Sequence, residues 1–250
     1  MKATLAIAKR ELNAYFDTLI GWLCLLGFSL ISGLIFAWIV TAYTDPMAMM
    51  SGQAVDINKM LIPDYFGTIS ILILLLSPAL SMRIFAEDIK QKSFELLLSS
   101  PISSTEIVVG KFLGACAYCA VLLLSTLPLI IVLIRYGEPD INVLAMNYLS
   151  TFLMASSCIS LGMMFSAFTR SQLIALALSF ISVLSLWFLF GLSQIAKGDA
   201  ATVLAYISLL SHMEDMGKGV LHIKDLLYFT SFSAFFLFVS LQRLEAYRWQ

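Results

Sequence analysis

Six long runs free of charged residues are separated by short polar clusters along the chain. They lie between Asp17 and Asp45, Asp64 and Arg83, Lys111 and Arg135, Asp140 and Arg170, Arg170 and Lys197, and Asp225 and Arg243. A helix crossing a hydrocarbon core needs about 20 apolar residues and works over roughly 17 to 25. Lipid offers no partner to a free backbone N–H or C=O, so runs of this length have to be helices. The pattern predicts spans at residues 18–43, 64–84, 111–134, 145–168, 172–196 and 225–242. The sixth is shortest, with about 17 residues from Leu226 to Gln242, and its ends can recruit flanking side chains that snorkel to the interface.

A seventh pattern is different in kind. From Arg83 to Pro101 the chain is densely charged, with Glu87 and Lys90 three apart and Asp88 and Lys92 four apart, spacings that support a helix. Phe85, Ile89, Phe94, Leu97 and Leu98 are interleaved with them. That is too much apolar surface for a solvated loop, so part of this helix meets protein or the membrane underside. Pro101 ends it. Ser103-Ser104-Thr105-Glu106 then supplies helix-capping residues before the apolar run of the third span.

Ahead of the first span, residues 1–17 read as an interfacial helix. Met1, Leu5, Ala8, Leu12, Tyr15 and Phe16 form one face, and Lys2, Lys9, Arg10, Asn13 and Asp17 the other. The alternative is a simple extension of the first span into the cytoplasm. That span is too long for a signal-peptide core and is expected to remain as an anchor. With the N-terminus inside, the inner loops and ends carry Lys2, Lys9, Arg10, Arg83, Lys90, Lys92, Lys111, Arg170, Arg243 and Arg248. The outer ones carry Lys59, Arg135, Lys197, Lys218 and Lys224. The bias predicts a multi-pass membrane protein with both termini cytoplasmic.

Composition agrees: 60% of residues are hydrophobic and 12% charged, against about half and about a quarter in soluble domains. The formal net charge of −1 does not suggest nucleic-acid binding. Cys24, Cys116, Cys119 and Cys158 fall in apolar spans and read as packing residues, with no His or acidic neighbour to complete a metal site. Met47, Met49, Met50 and Met60 in the connection between the first and second spans repeat no ligand spacing and read as flexible apolar residues, not a copper site. No G-x-x-x-x-G-K-[ST] phosphate loop occurs, so no ATP hydrolysis is expected of the chain itself. His212 and His222 read as interfacial polar residues, and no catalytic residue is assigned.

The spans themselves lack ionisable residues, which argues against an autonomous ion-coupled secondary transporter, the main alternative together with a non-transporting membrane scaffold. They contain hydroxyls and amides, among them Ser77, Ser81, Ser125, Thr126, Ser156, Ser157, Ser160, Ser179, Ser182, Ser185 and Gln194. These are expected to join helices, with Gly21, Gly27, Gly33 and Gly162 allowing close approach. Pro78 and Pro128 are placed to kink the second and third spans. An apolar pathway would suit a lipid-like, polymer or peptide cargo better than a small ion.

Arg83, Ala86-Glu87, Glu95-Leu96-Leu97-Leu98, Ser100-Pro101 and Val109-Gly110-Lys111-Phe112 resemble the signature after the second span of type-2 ABC exporter permeases, particularly their gliding-motility-associated GldF-like branch. Lys9-Arg10-Glu11 and the stretches around His212, Gly217-Lys218-Gly219-Val220 and Asp225 to Phe229 extend the resemblance over nearly the whole chain. The sequence departs from the pattern at Asp88, where a second Glu is usual, and at Lys92-Ser93, where a Gly-Thr pair is usual.

The resemblance implies an all-α permease that pairs with a second copy or paralogue, docks a cytoplasmic ABC ATPase subunit, and accepts an auxiliary extracytoplasmic subunit. ATP and Mg would be held by the ATPase, and this chain would bind no cofactor. In such permeases the short helix after the second span, here residues 86–100, is the coupling helix seated in a cleft of the ATPase. Glu87, Asp88, Lys90, Lys92 and Glu95 become its docking contacts. Residues 198–224 hold an apolar stretch too short to cross, followed by charge and glycine. They read either as a re-entrant external gate, with Leu209, His212, Gly217 and Gly219 its candidate residues, or as a loop in the headgroups.

Overall fold

Where a charge-free run is long enough to cross lipid, the backbone closes its own hydrogen bonds, and the computed structural model is accordingly built from helices. It describes residues 2–44, 57–90 and 103–248. In chain order these form α1 (Lys2–Phe16), α2 (Leu19–Thr44), a π-turn (Ile57–Leu61), α3 (Ile62–Ser81) and α4 (Ala86–Lys90). Then come α5 (Ser104–Leu124), α6 (Leu127–Gly137), α7 (Ile141–Phe168), α8 (Gln172–Ile195), α9 (Asp199–Ile207), α10 (Leu209–Gly217) and α11 (Ile223–Arg248). No strand occurs among the described residues.

Among the described residues, six helical units are long and apolar enough to cross a membrane. The second, third and sixth are longer than their charge-free runs. The second begins at Ile57, before Asp64, and the third at Ser104, before Lys111. At Asp64 the carboxylate accepts a hydrogen bond from the Tyr43 hydroxyl at 2.5 Å, which ties the start of α3 to the end of α2. The third unit is two helices. Pro128 has no N–H to continue the ladder, the chain breaks at Ser125-Thr126, and Pro128 lies in the first turn of α6. Thr126 bonds Leu123 O and the Tyr148 hydroxyl across the break, both at 2.7 Å. Pro78, by contrast, lies inside α3.

The bundle is organised around α7, which packs against α3, α5, α8, α10 and α11 and is the most buried of the six. Its small residues explain why. A Cβ on Gly162 would sit 1.9 Å from Ser81 Oγ on α3 and 3.4 Å from Ser179 Oγ on α8, so three helices cross where only hydrogen fits. Gly21 is also close-packed, against Tyr15 O, whereas Gly27 and Gly33 face open space and mediate no approach within the chain. Most hydroxyls of the spans bond to their own helix: Ser77 to Leu74 O, Ser81 to Ser77 O, Ser160 to Ser157 O. The expectation of general interhelical glue therefore narrows to a few sites. Thr126 and Ser157 bridge helices, as do Ser70 with Thr151 at 3.2 Å and Ser166 with the segment after α3.

The outward faces of α2, α8 and α11 carry large exposed apolar side chains such as Leu23, Leu30, Trp38, Leu173, Ile181, Phe235 and Phe238. Lipid and neighbouring subunits are the environments that suit such surfaces.

Because Gly162 has no room for a side chain, Gly162→Val is expected to force α3 away from α7 and destabilise the bundle by about 1–3 kcal/mol. Gly27→Val, into open space, should leave it unchanged. Thermal unfolding of both variants in the same detergent checks the contrast.

Candidate coupling site

At the end of the bundle that carries α1 and α4, one buried cation collects three chain segments. Lys111 is 2% exposed, on the second turn of α5. Its Nζ lies 2.8 Å from Glu11 Oε1 on α1, 2.8 Å from Asp88 Oδ2 on α4 and 2.7 Å from Ile84 O in the turn between α3 and α4. The Phe85 ring lies 5.6 Å from the same ammonium. The ammonium donates to Glu11 Oε1 and Ile84 O, and the Asp88 carboxylate lies at ion-pair distance, so the charge removed from water is met by two carboxylates and a carbonyl.

Local sequence explains each partner's position. Ser103 caps α5: its Oγ accepts from Glu106 N and its own N–H donates to Glu106 Oε2, both at 3.3 Å. This is the cap expected from Ser103-Ser104-Thr105-Glu106. On the next turns Gly110 and Gly114 admit α1 at backbone contact. A Cβ at Gly110 would meet Ile7 at 2.8 Å, and one at Gly114 would meet Glu11 Cβ at 2.6 Å. The helix at residues 2–16 therefore docks through Ile7, Ala8, Glu11 and Tyr15, while Leu5 is 64% exposed. This corrects the expected apolar face: the Gly110/Gly114 groove and the need for a carboxylate at Lys111 set the rotation of α1, not its hydrophobic stripe.

Past Glu11, α1 is held again at Tyr15. Its hydroxyl donates to Leu80 O at 2.8 Å, its ring stacks on Tyr118 at 4.5 Å, and the Arg83 guanidinium lies 4.2 Å above it. Burial pushes the Tyr15 phenol above its ordinary range, against the opposing pull of Arg83. Arg83 also donates to Thr18 Oγ1 at 3.3 Å. From the other side Ser166 of α7 accepts from Phe85 N at 3.0 Å and Ala86 N at 2.9 Å and donates to Met82 O at 2.9 Å. The turn after α3 is thus fastened to α1, α5 and α7 together.

The described part of the expected coupling helix is short, Ala86–Lys90. Of its candidate contacts, Asp88 points inward to Lys111 and Lys90 is exposed. Glu87 lines a cavity of about 200 Å³ with Tyr15, Thr18, Arg83 and Gln172. Lys92, Glu95 and the end of that helix at Pro101 lie outside the described residues.

The segment expected on the outer side lies at the opposite end from this site. There α9 and α10 form a hairpin broken at Ser208, with α9 against α8 and α10 against α7. Leu209 is fully buried. His212 is 6% exposed and its ring is held by two acceptors: Nδ1 lies 2.6 Å from Asp225 Oδ1 and Nε2 lies 3.0 Å from Tyr206 O. Tyr228 stacks on it at 4.0 Å. The reading of His212 as an interfacial polar residue gives way to a buried one, since two acceptors replace its water. Gly217 O accepts from Asn147 Nδ2 at 3.0 Å, and Gly219 takes a positive φ of 86° against Val143. His212, Gly217 and Gly219 therefore anchor the hairpin to α7 and α11, and Leu209 is buried at its start.

Residues 5–243 match the family described as ABC-2 family transporter protein.

The chain belongs to the ABC-2 transporter family. The match runs from α1 into α11 and so includes the Lys111 site and the hairpin. No individual curated protein matches. Membership makes the chain a multi-pass membrane protein and the membrane subunit of an ABC transporter, a family whose members work with a cytoplasmic ATPase subunit.

Sequence reasoning used Lys111 and Glu11 as motif residues and topology markers and gave neither a structural role. The signal was present as two small residues, Gly110 and Gly114, flanking a lysine at a helix start. Lys111→Met should leave two carboxylates facing a dry pocket and destabilise the protein by about 3–5 kcal/mol. Adding Glu11→Gln and Asp88→Asn should recover most of that loss. Unfolding midpoints of the single and triple variants measure it.

Proposed function

We propose that the chain is the permease half of an ATP-driven exporter of the inner membrane, with the Lys111 site as its mechanical input. The observation that carries this reading is that α4, the described start of the expected ATPase-docking helix, is joined through one buried ammonium to both α1 and the third span. A push on α4 is transmitted to α5 and α1 as a rigid unit, because separating any member exposes an unpaired charge in a dry site. The Ser166 bonds carry the same displacement to α7, the centre of the bundle.

In this reading two permease copies, or this chain and a paralogue, form the pathway, and a separate ATPase with bound ATP and Mg docks beneath each. Exposed apolar faces on α2, α8 and α11 suit a partner copy as well as lipid. Lys90 and Glu87, with Lys92 and Glu95, supply docking contacts, and Asp88 transmits the force inward. ATP-driven closure of the ATPase pair alternates access between the two sides, and the α9–α10 hairpin closes the outer mouth. Both termini would then be cytoplasmic. The GldF-like features favour a role in gliding motility or envelope secretion, where an auxiliary extracytoplasmic subunit would complete the assembly.

Glu87→Lys combined with Lys90→Glu, with Asp88 kept, should leave membrane insertion and melting unchanged while abolishing co-purification of the ATPase subunit or uncoupling its hydrolysis from transport. Undiminished assembly and transport would sink the coupling assignment. At the outer end, Asp225→Ala removes the partner of His212 and should loosen the hairpin. Faster backbone hydrogen exchange over residues 209–217 together with impaired transport is the expected result, and loosening without any effect on transport would refute the gate.

A further inference from the structure

A cavity of about 350 Å³ opens at the hairpin end between α3, α7, α8 and α10, a volume near the lower end of small-molecule sites, which run about 300–1,000 Å³. Its walls are apolar, with Phe66 of α3, Phe190 of α8 and Met213 of α10. Its mouth is charged, carrying Lys59 of the π-turn and Lys218 and Glu214 of the hairpin end. Part of the inner wall is polar and buried: Ser70, Asn147 and Ser150 are each at most 3% exposed.

The dimensions fit one class of ligand. Along α3 the lining runs from Pro63 near the mouth to Ile71, eight positions, roughly 12 Å at about 1.5 Å per residue. That is just under half of a hydrocarbon core about 30 Å thick, most of the depth of a single leaflet. Ile71 and Gly67 remain exposed at the side of the cavity, so an occupant can enter laterally. With two lysines and one glutamate, the mouth favours an anion at headgroup level, while the wall below it is apolar.

We infer that this cavity is a binding site for a phosphate-headed, single-chain amphiphile of the lysophospholipid class. The phosphate meets Lys218 and Lys59, and one acyl chain follows Phe66, Phe190 and Met213 into the bundle. The small volume excludes a two-chain lipid or a polymer from the interior. Charge-assisted contacts from the lysines give the head its preference for phosphate over a cationic group. The site stands whether or not the chain couples to an ATPase, since every element that forms it belongs to this subunit.

The test uses the full chain in mild detergent with a single-chain lysophosphatidylglycerol carrying a photoreactive group in its acyl chain. Labelled peptides are located by mass spectrometry. Saturable labelling of the peptides containing Ile71, Phe190 and Met213 is expected, competed by the unlabelled lipid and not by a trimethylammonium amphiphile of equal chain length. Gly67 has nothing within 4 Å of a built Cβ, so Gly67→Trp can fill the cavity without a backbone clash and should reduce labelling at least about tenfold. Lys218→Glu, at an exposed position, should weaken competition by the unlabelled lipid. Equal competition by the cationic amphiphile, labelling spread evenly over the exposed apolar belt, or full labelling in a Gly67→Trp variant that melts like the parent would overturn the inference. Should Gly67→Trp fail to fold, unchanged competition in Lys218→Glu overturns it on its own.

Discussion

Everything at the α1 end depends on keeping the Lys111 ammonium satisfied away from water. A lone buried charge costs several kcal/mol even after relaxation, so the chain has to deliver acceptors from elsewhere. It delivers Glu11 from α1, Asp88 from α4 and Ile84 O from the turn between them. The consequence is geometric. α1 cannot roll, α4 cannot lift and α5 cannot slide without breaking a charge-assisted bond in a dry site. Gly110 and Gly114 make the arrangement possible by removing the side chains that would hold α1 off α5.

The rest of the bundle divides between a tight interior and a loose exterior. Along α7 small and hydroxylated residues let neighbours come close, with Gly162 at the tightest crossing. On α2, α8 and α11 large apolar side chains face outward. The third span joins the two regimes, with the Lys111 site near the start of α5 and exposed apolar residues such as Ile131 and Ile134 on α6, beyond the break at Ser125-Thr126. At the far end the same economy of partners recurs, with His212 held between Asp225 and Tyr206 O and the hairpin pinned to α7 through Asn147.

How much of this was readable in advance follows from range. Charge-free runs report a constraint imposed by lipid on each segment separately, so all six spans and the helical class were legible, as was the Ser103 cap, which is purely local. Helix ends were placed too narrowly because Lys111 and Asp225 looked like boundaries, although a charge with a partner can continue inside a helix. The rotation of α1 was missed for the same reason. Leu5 and Ile7 are equally apolar, and only the groove on α5, about a hundred positions away, selects between them. The hydroxyls misled because a serine in a helix bonds its own preceding turn as readily as a neighbour. Gly217 and His212 drew attention from the sequence, yet their partners Asn147 and Asp225 are fixed by tertiary contact.

The separation between Glu11 and Lys111 also has a meaning during synthesis. Glu11 is made long before the ribosome has produced Lys111, and a buried lysine without a partner carries a desolvation cost of several kcal/mol. The waiting carboxylate on α1, already positioned beside the first span, lowers that penalty as the third span arrives. The pair is therefore an order-of-assembly mark, by which an earlier helix receives a later one.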